Sequence, residues 1–135
     1  VTNVVTVTPL TSLSKLVDLM EQNNVDRVVV VEGKTPVGIV TVRDLVFVKV
    51  FAYKLKKKYL RKAVKPSLKI KMPLVMVAED VMTPNPITIS MQEDLALAAK
   101  IMLENGISGL PVVDDGSLVG IVTKRDIARA LAEMA

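Results

Sequence analysis

The chain has 135 residues, half of them hydrophobic, and this length accommodates one compact domain or two small subdomains that share a core. It contains no cysteine and no histidine, which excludes disulfides, the usual zinc sites, thiol nucleophiles and histidine-based acid–base catalysis. Aromatic residues make up only 3% of the chain, so a stacking surface for single-stranded nucleic acid is hard to build.

The chain contains an internal repeat, in which residues 5–45 align with residues 87–127 without a gap. GIVTVRD at Gly38 to Asp44 matches GIVTKRD at Gly120 to Asp126. Each copy is predicted to form a strand, a helix, two strands and a second helix (β-α-β-β-α), so the expected fold class is α/β. One copy of about 45 residues has little core of its own, so the two copies are expected to pack sheet to sheet about a pseudo-twofold axis.

The first copy, expected over residues 1–50, opens with a strand at VTVT. Thr8 and Pro9 then predict a helix start, with a capping residue followed by proline at the first helical position. Asn24 follows the helix, where a left-handed backbone is commonly needed. Arg27 to Glu32 is predicted as a strand, followed by a turn through Gly33 to Pro36.

The segment between the copies, residues 51–77, is predicted to be a basic amphipathic helix followed by an extended linker. Nine basic residues and no acidic one lie between Lys54 and Lys71, although the chain has a net charge of only +4. Residues 54–65 can be a solvated helix that packs on the module, a surface for an acidic partner or membrane, or a nucleic-acid contact, and the sequence leaves these three alternatives open.

The second copy, expected over residues 78–135, is preceded by a short helix predicted at Glu79 to Met82. Ser90 and Glu93 predict a capping box at the start of its first long helix, and Gly106 its end. Gly109 to Asp114 is the matching strand, followed by a turn at Asp115 to Ser117. Both long helices present an apolar face, made of Leu13, Leu16, Val17 and Met20 in the first copy and Leu95, Ala98, Ala99 and Met102 in the second.

Each copy closes with the motif Gly-h-h-Thr-x-x-Asp, in which h is a hydrophobic residue and x any residue, and the second copy contains GLPVVD at Gly109 to Asp114. This repeat resembles a tandem pair of cystathionine-β-synthase-type (CBS) domains. The resemblance covers nearly the whole chain except Phe47 to Val77. The first copy departs from the pattern because it lacks the leading helix and the Met-Thr-Pro segment, and because Val29 stands where the second copy has Pro111. The missing segment is consistent with a chain cut from a longer polypeptide.

The resemblance implies that the Asp of each closing motif holds the ribose hydroxyls of an adenosine ligand, in pockets shared between the repeats. The first predicted set, which we expect to be the more complete, comprises Thr41, Arg43, Asp44, Thr83, Pro86, Ile87, Thr88, Ile107, Ser108, Gly109 and Pro111. The second predicted set comprises Val5, Thr6, Val25, Asp26, Arg27, Thr123, Lys124, Arg125 and Asp126.

The Thr-x-x-Asp turn is also a plain helix-capping arrangement, so capping and ligand binding both remain open and can coexist. Arg43, Lys124 and Arg125 can neutralise phosphates or be solvated surface charges. Arginine before both Asp residues favours AMP, ADP or ATP over S-adenosylmethionine.

The resemblance implies a regulatory module that senses an adenine nucleotide and forms a homodimer through its helices, with no catalytic residues, no required cofactor and no metal. The alternatives are a protein- or nucleic-acid-interaction module without nucleotide, and an S-adenosylmethionine-binding pair. No apolar run is long enough to span a bilayer and no signal peptide is evident, so we expect a cytoplasmic location.

Overall fold

The repeat order is visible in the computed structural model, which describes residues 4–46 and 76–134. The first repeat contains β1 (Thr6–Val7), α1 (Leu13–Asn23), β2 (Arg27–Glu32), β3 (Thr35–Thr41) and the helical residues 42–46. The second repeat contains β5 (Ile89–Ser90), α3 (Leu95–Asn105), β6 (Gly109–Asp114), β7 (Ser117–Thr123) and α4 (Lys124–Met134). Between the repeats lie α2 (Ala78–Val81) and β4 (Thr83–Pro84). The predicted α/β repeat is confirmed, while the basic helix predicted at 54–65 lies outside the described residues.

The two sheets are built in the same way. In each repeat a short parallel strand precedes an antiparallel hairpin, which gives the orders β1-β2-β3-β4 and β5-β6-β7. Both hairpins shift register at equivalent places, between Val30 and Val31 and between Val112 and Val113. The backbone therefore follows the sequence repeat residue by residue.

Both long helices begin later than the sequence patterns predicted. In the first copy, Pro9 lies in a turn closed by the bond from the Thr11 amide to the Thr8 carbonyl at 3.1 Å, and Ser12 caps α1 by accepting from the Lys15 amide at 3.1 Å. The prediction of Thr8 as the cap was wrong because Thr8 is engaged in this turn, where its hydroxyl contacts that of Thr11.

The predicted capping box of Ser90 and Glu93 was also wrong. The Ser90 hydroxyl accepts from the Gln92 amide within a turn, and Asp94 caps α3 by accepting from the Leu97 amide at 3.0 Å. Ser12 and Asp94 are equivalent positions, so the two copies share one start. The predicted helix ends are confirmed, since Asn24 and Gly106 have φ angles of 50° and 62°.

The short helix before the second repeat packs on the first repeat. It spans Ala78–Val81, one residue earlier than predicted, and the Asp80 carboxylate accepts from the amide of the N-cap residue Val77 at 2.8 Å. The Ala78 amide bonds to the Thr11 carbonyl of the first repeat at 2.8 Å. Ala78 is fully buried in the first core, and β4 pairs with β3. The chain leading into the second repeat thus completes the first.

Each repeat has its own apolar cluster between its helix and its sheet. The first is built around Leu16, Val28, Val30 and Val40, and the second around Met102, Leu110, Val112 and Val122. Of the predicted helix faces, Leu13, Leu16, Met20, Ala98 and Met102 are buried, Val17 and Ala99 are half-buried, and Leu95, in the first turn of α3, is 41% exposed. In the described part of the chain, no helix is long and apolar enough to cross a membrane.

The two repeats contact each other at one pair of equivalent residues and at a second pair that is not equivalent. Arg27 begins β2 and Gly109 begins β6, and a Cβ atom added to Gly109 would collide with the guanidinium group of Arg27. The Leu118 amide also donates to the Lys34 carbonyl at 2.8 Å across the repeats. Contact between equivalent residues is what a pseudo-twofold axis between the two hairpins requires.

Candidate functional site

The Thr-x-x-Asp turn has the same geometry in both repeats. In the first, Asp44 Oδ2 accepts from the Thr41 amide at 2.9 Å and from the Thr41 hydroxyl at 3.1 Å. In the second, Asp126 Oδ2 accepts from the Thr123 amide at 2.8 Å and from its hydroxyl at 3.1 Å. Each Thr hydroxyl also lies within hydrogen-bond distance of the Asp amide, at 3.4 and 3.3 Å.

The turn therefore caps the helix that follows it, as one of the two sequence interpretations predicted. Capping and ligand binding can coexist in such a turn, because a carboxylate has about four lone-pair sites. An Asp fixed in this way is held at the junction of strand and helix with its orientation already set. Such a carboxylate can accept from vicinal hydroxyls without first paying the entropy of ordering its own side chain.

A cleft of about 650 Å³ lies beside the second of these turns. Three parts of the chain form most of it: the residues before β1, the junction of α1 and β2, and the segment from β7 into α4. Val42, after β3, and Ser108, before β6, complete the lining. We call it the Asp126 cleft, and its lining residues are Val4, Val5, Asn24, Val25, Asp26, Arg27, Val42, Ser108, Ile121, Thr123, Lys124, Arg125, Asp126 and Arg129. Residues of both repeats line it, so it lies between them.

The Asp126 cleft brings together the second predicted set, with one exception. Val5, Val25, Asp26 and Arg27 line it from the first repeat, opposite the turn at 123–126, while Thr6 lies outside the lining. Their role as ligand contacts stays a prediction.

Of the first predicted set, which the sequence favoured, only Ser108 lines the Asp126 cleft. Pro111 is fully buried within β6, Thr83 pairs in β4, and Ile107 packs against the second core. Ile87 is 41% exposed, and Thr41 bonds to Asp44 as described above. Pro86 is half-buried and Gly109 is buried, whereas Thr88 and Arg43 are exposed. Binding by this set is a prediction that these positions leave open.

Sequence reasoning missed five lining residues: Val4, Asn24, Val42, Ile121 and Arg129. A signal for Arg129 was present, because it follows Arg125 by four residues in α4 and side chains with this spacing share one helix face. Asn24 was assigned only as a helix end, although its left-handed backbone is what turns the chain toward the cleft. Val42 and Ile121 carry no polar group that would mark them.

The charges of the cleft are unequal, with four basic residues and two acidic ones: Arg27, Lys124, Arg125, Arg129, Asp26 and Asp126. Arg27 is paired with its neighbour, its Nε donating to Asp26 Oδ1 at 3.0 Å. This hydrogen bond holds the pKa of Asp26 below its usual value, and the charges of Arg27 and Arg125 act in the same direction against partial burial. Arg125 is therefore close enough to Asp26 for its charge to be felt across the cleft.

The described residues contain no group of three or more acidic, Cys or His side chains placed to hold a metal ion. The polar chemistry of the Asp126 cleft is thus a carboxylate fixed at a turn and a set of guanidinium and ammonium groups. Its apolar part consists of aliphatic side chains such as Val5, Val25 and Ile121. This combination suits a ligand with an apolar ring, hydroxyl groups and negative charge.

Comparison with known proteins agrees with the repeat structure. The sequence profile of the CBS domain matches residues 1–50 and 77–133. The chain is 33% identical over 127 residues to the uncharacterized protein MK0525 of Methanopyrus kandleri, covering 93% of this chain but 56% of that protein. It therefore spans about half the length of this relative.

Two solved structures share the fold along nearly the whole chain. The structure of CBSX2 in complex with AMP has a TM-score of 0.74 at 30% identity. The match covers 98% of this chain and 90% of the CBSX2 chain. The CBS domain pair of protein MJ0100, in complex with 5-methylthioadenosine and S-adenosyl-L-methionine, has a TM-score of 0.73 at 26% identity, with 100% of this chain and 93% of that chain covered. The chain belongs to the CBS domain family, and its two repeats form a tandem CBS domain pair.

Proposed function

We propose that this CBS pair is a non-enzymatic regulatory module that binds an adenine nucleotide in the Asp126 cleft. The observation that carries the proposal is the cleft itself, which joins a turn-fixed carboxylate, aliphatic walls and basic side chains at the boundary of the two repeats. Support also comes from CBSX2, which was solved with AMP, and from MJ0100, solved with two adenosine-containing ligands.

Each part of an adenine nucleotide has a matching group in the cleft. Asp126 accepts from the ribose hydroxyls, since a carboxylate can accept from two vicinal donors. Val5 and Val25 pack on the faces of the purine, where burial of apolar area contributes roughly 25 cal/mol per Å². Lys124 and Arg125 pair with phosphate, and the N-terminus of α4 adds a favourable dipole.

Binding acts as a signal because the cleft walls come from both repeats. A ligand shifts a conformational equilibrium only by its differential affinity for the two states. A nucleotide that contacts Val25 in one repeat and Asp126 in the other favours the arrangement in which both contacts exist. Occupancy is thereby coupled to how the repeats pack, without any chemical step.

Isothermal titration calorimetry with AMP, ADP, ATP, S-adenosylmethionine and 5-methylthioadenosine tests the proposal. We expect heat and saturable binding with at least one adenine nucleotide, and a melting temperature that rises with ligand concentration. The nucleotide recovered after incubation should be chemically unchanged. Absence of binding by every compound at millimolar concentration would refute the proposal.

We also propose that the module forms a homodimer through α3 and α4, which pack beside each other. Leu95 and Leu103 on α3 are 41% and 79% exposed, and Leu131 and Met134 on α4 are 63% and 82% exposed. Their spacing forms one apolar stripe on each helix, and a second copy of this chain buries both stripes. Light scattering should give twice the chain mass for the wild type and the single mass for Leu103→Glu, with Leu10→Glu as the exposed control.

An interaction module that holds a protein or nucleic acid remains the other candidate from the sequence. Its basic segment lies outside the described residues, so the structure adds no argument for it. The Asp126 cleft therefore carries the function proposed above.

A further inference from the structure

The pseudo-twofold axis relates the Asp126 cleft to an equivalent position beside Asp44. At both positions a Thr-x-x-Asp turn of one repeat is expected to face the start of a strand of the other repeat, which is β2 for the Asp126 turn and β6 for the Asp44 turn. The two backbones are alike, since both turns make the same hydrogen bonds within 0.1 Å. Any difference in binding between them must therefore come from the side chains.

The turns themselves carry different charges. In the Asp126 turn the two central residues are Lys124 and Arg125, whereas their equivalents in the Asp44 turn are Val42 and Arg43. One helical turn further on, the second repeat adds Arg129, which lines the Asp126 cleft. The residue aligned with Arg129 in the first copy is Phe47, which carries no charge and lies outside the described residues.

The facing strands differ in the same direction. The Asp126 cleft is faced by Asp26 and Arg27, and the residues aligned with them in the second repeat are Ser108, which also lines this cleft, and Gly109. Arg27 fills the space next to Gly109, because a side chain that began at Gly109 would meet its guanidinium group. Only 14% of the Arg27 side chain is exposed, and its bond to Asp26 holds it in this place.

The consequence is a difference in both charge and space. The Asp126 turn has one more basic than acidic side chain, Lys124 and Arg125 against Asp126, whereas Arg43 and Asp44 cancel in the Asp44 turn. Phosphate binds through charge-assisted hydrogen bonds, for which guanidinium groups are well suited. Arg125 and Arg129 are four residues apart on one face of α4, about 6 Å along its axis, so they can contact successive phosphates of one ligand.

Building on the proposed function, we propose that each chain binds one nucleotide with two or more phosphates, in the Asp126 cleft only. Arg125 and Arg129 contact the phosphates, and the equivalent position beside Asp44 takes no nucleotide. The pair of repeats is thus symmetric in backbone and asymmetric in ligand binding. ADP and ATP bind more tightly than AMP, and AMP more tightly than uncharged adenosine.

Calorimetry with ATP, ADP, AMP and adenosine on the wild type and on three arginine variants tests this inference. We expect one ATP per chain. Arg125→Gln should weaken ATP binding about tenfold or more, as expected for loss of a charge-assisted contact, and Arg129→Gln should weaken ATP more than AMP. Arg43→Gln, the equivalent exposed substitution in the first repeat, should change ATP affinity less than about twofold.

Other outcomes separate this inference from the proposed function. Two nucleotides per chain, adenosine bound as tightly as ATP, or equal losses in Arg43→Gln and Arg125→Gln would leave the nucleotide-binding module intact and overturn the one-cleft inference. If no adenosine compound binds, both fall. Melting temperatures of the variants without ligand test whether each is folded. All three arginines are exposed, so these substitutions should not disturb the core.

Discussion

Replacing Asp44 and Asp126 separately by Ala distinguishes their structural role from ligand binding. Each carboxylate accepts from the amide and the hydroxyl of the Thr three residues earlier, with nearly identical distances. Loss of a capping side chain typically costs about 1 kcal/mol, within a range of roughly 0.5–2 kcal/mol. Both variants should therefore lose about the same stability, which for a domain of this size lowers the melting temperature by roughly 2–8 °C.

Their effects on nucleotide binding should be unequal. Asp126→Ala removes the carboxylate from the described cleft, and loss of hydrogen bonds from a charged acceptor typically costs about 1.5–3 kcal/mol, or roughly 10–100-fold in affinity. Asp44→Ala removes the same group from a turn that we infer to be unoccupied, so affinity should stay within about twofold of the wild type.

The assay is a denaturant titration without ligand, followed by calorimetry at a temperature where both variants are fully folded. Equal stability losses combined with a selective loss of binding in Asp126→Ala would support the assignment. The reasoning would be refuted if Asp44→Ala lost as much affinity as Asp126→Ala, or if neither variant lost affinity.

Three further predictions concern the fold and the charges of the cleft. Leu16→Ala should destabilise the chain by about 2–5 kcal/mol in urea, because Leu16 is fully buried, whereas Leu10→Ala at a 76% exposed site should change stability by less than about 0.5 kcal/mol. Gly109→Ala should displace Arg27 and raise the pKa of Asp26, measurable by NMR titration; an unchanged titration would contradict the close contact. The pKa of Asp26 is lowered in the folded state, so the ionised Asp26 stabilises the fold above the ordinary pKa of 3.8, and this contribution is lost as the pH falls through the folded pKa. The difference in unfolding free energy between the wild type and Asp26→Asn should therefore shrink between about pH 6 and pH 3.

The sequence predicted the repeat because its strongest signals are local and occur twice. Apolar strands such as Arg27–Glu32 and the left-handed positions Asn24 and Gly106 depend on residues within one copy, and they were found where predicted. Both helix starts were misplaced because a local turn precedes the cap, and in the first copy a tertiary contact adds to this. The turn that includes Pro9 is fixed partly by the chain before the second repeat, since the Glu79 amide donates to the Pro9 carbonyl at 3.0 Å. No local pattern contains that contact.

The lining of the described cleft was largely predictable from the sequence, since it includes all but one residue of the second predicted set. The sequence favoured the set around Asp44 because Gly109 and Pro111 match the family pattern in the second copy, and this preference stays a prediction. At the described cleft, Arg129 adds a charge that the repeat alignment did not emphasise. The side chain of Arg27 also lies across the repeats onto Gly109, and such a contact depends on how two distant strands are placed.

The capping bonds explain how two equivalent turns can differ in binding. Because Asp44 and Asp126 both stabilise the helix that follows, each copy retains Thr-x-x-Asp for its fold whether or not a ligand is present. The motif therefore predicts a turn, and it does not by itself predict an occupied site. The neighbouring side chains bear no such structural constraint, since Arg43, Lys124 and Arg125 are exposed. Ligand specificity in this CBS pair should therefore be determined by the residues around the motif. Exchanging Val42 and Lys124 between the two turns should shift phosphate affinity from the Asp126 turn toward the Asp44 turn, without altering the start of either helix.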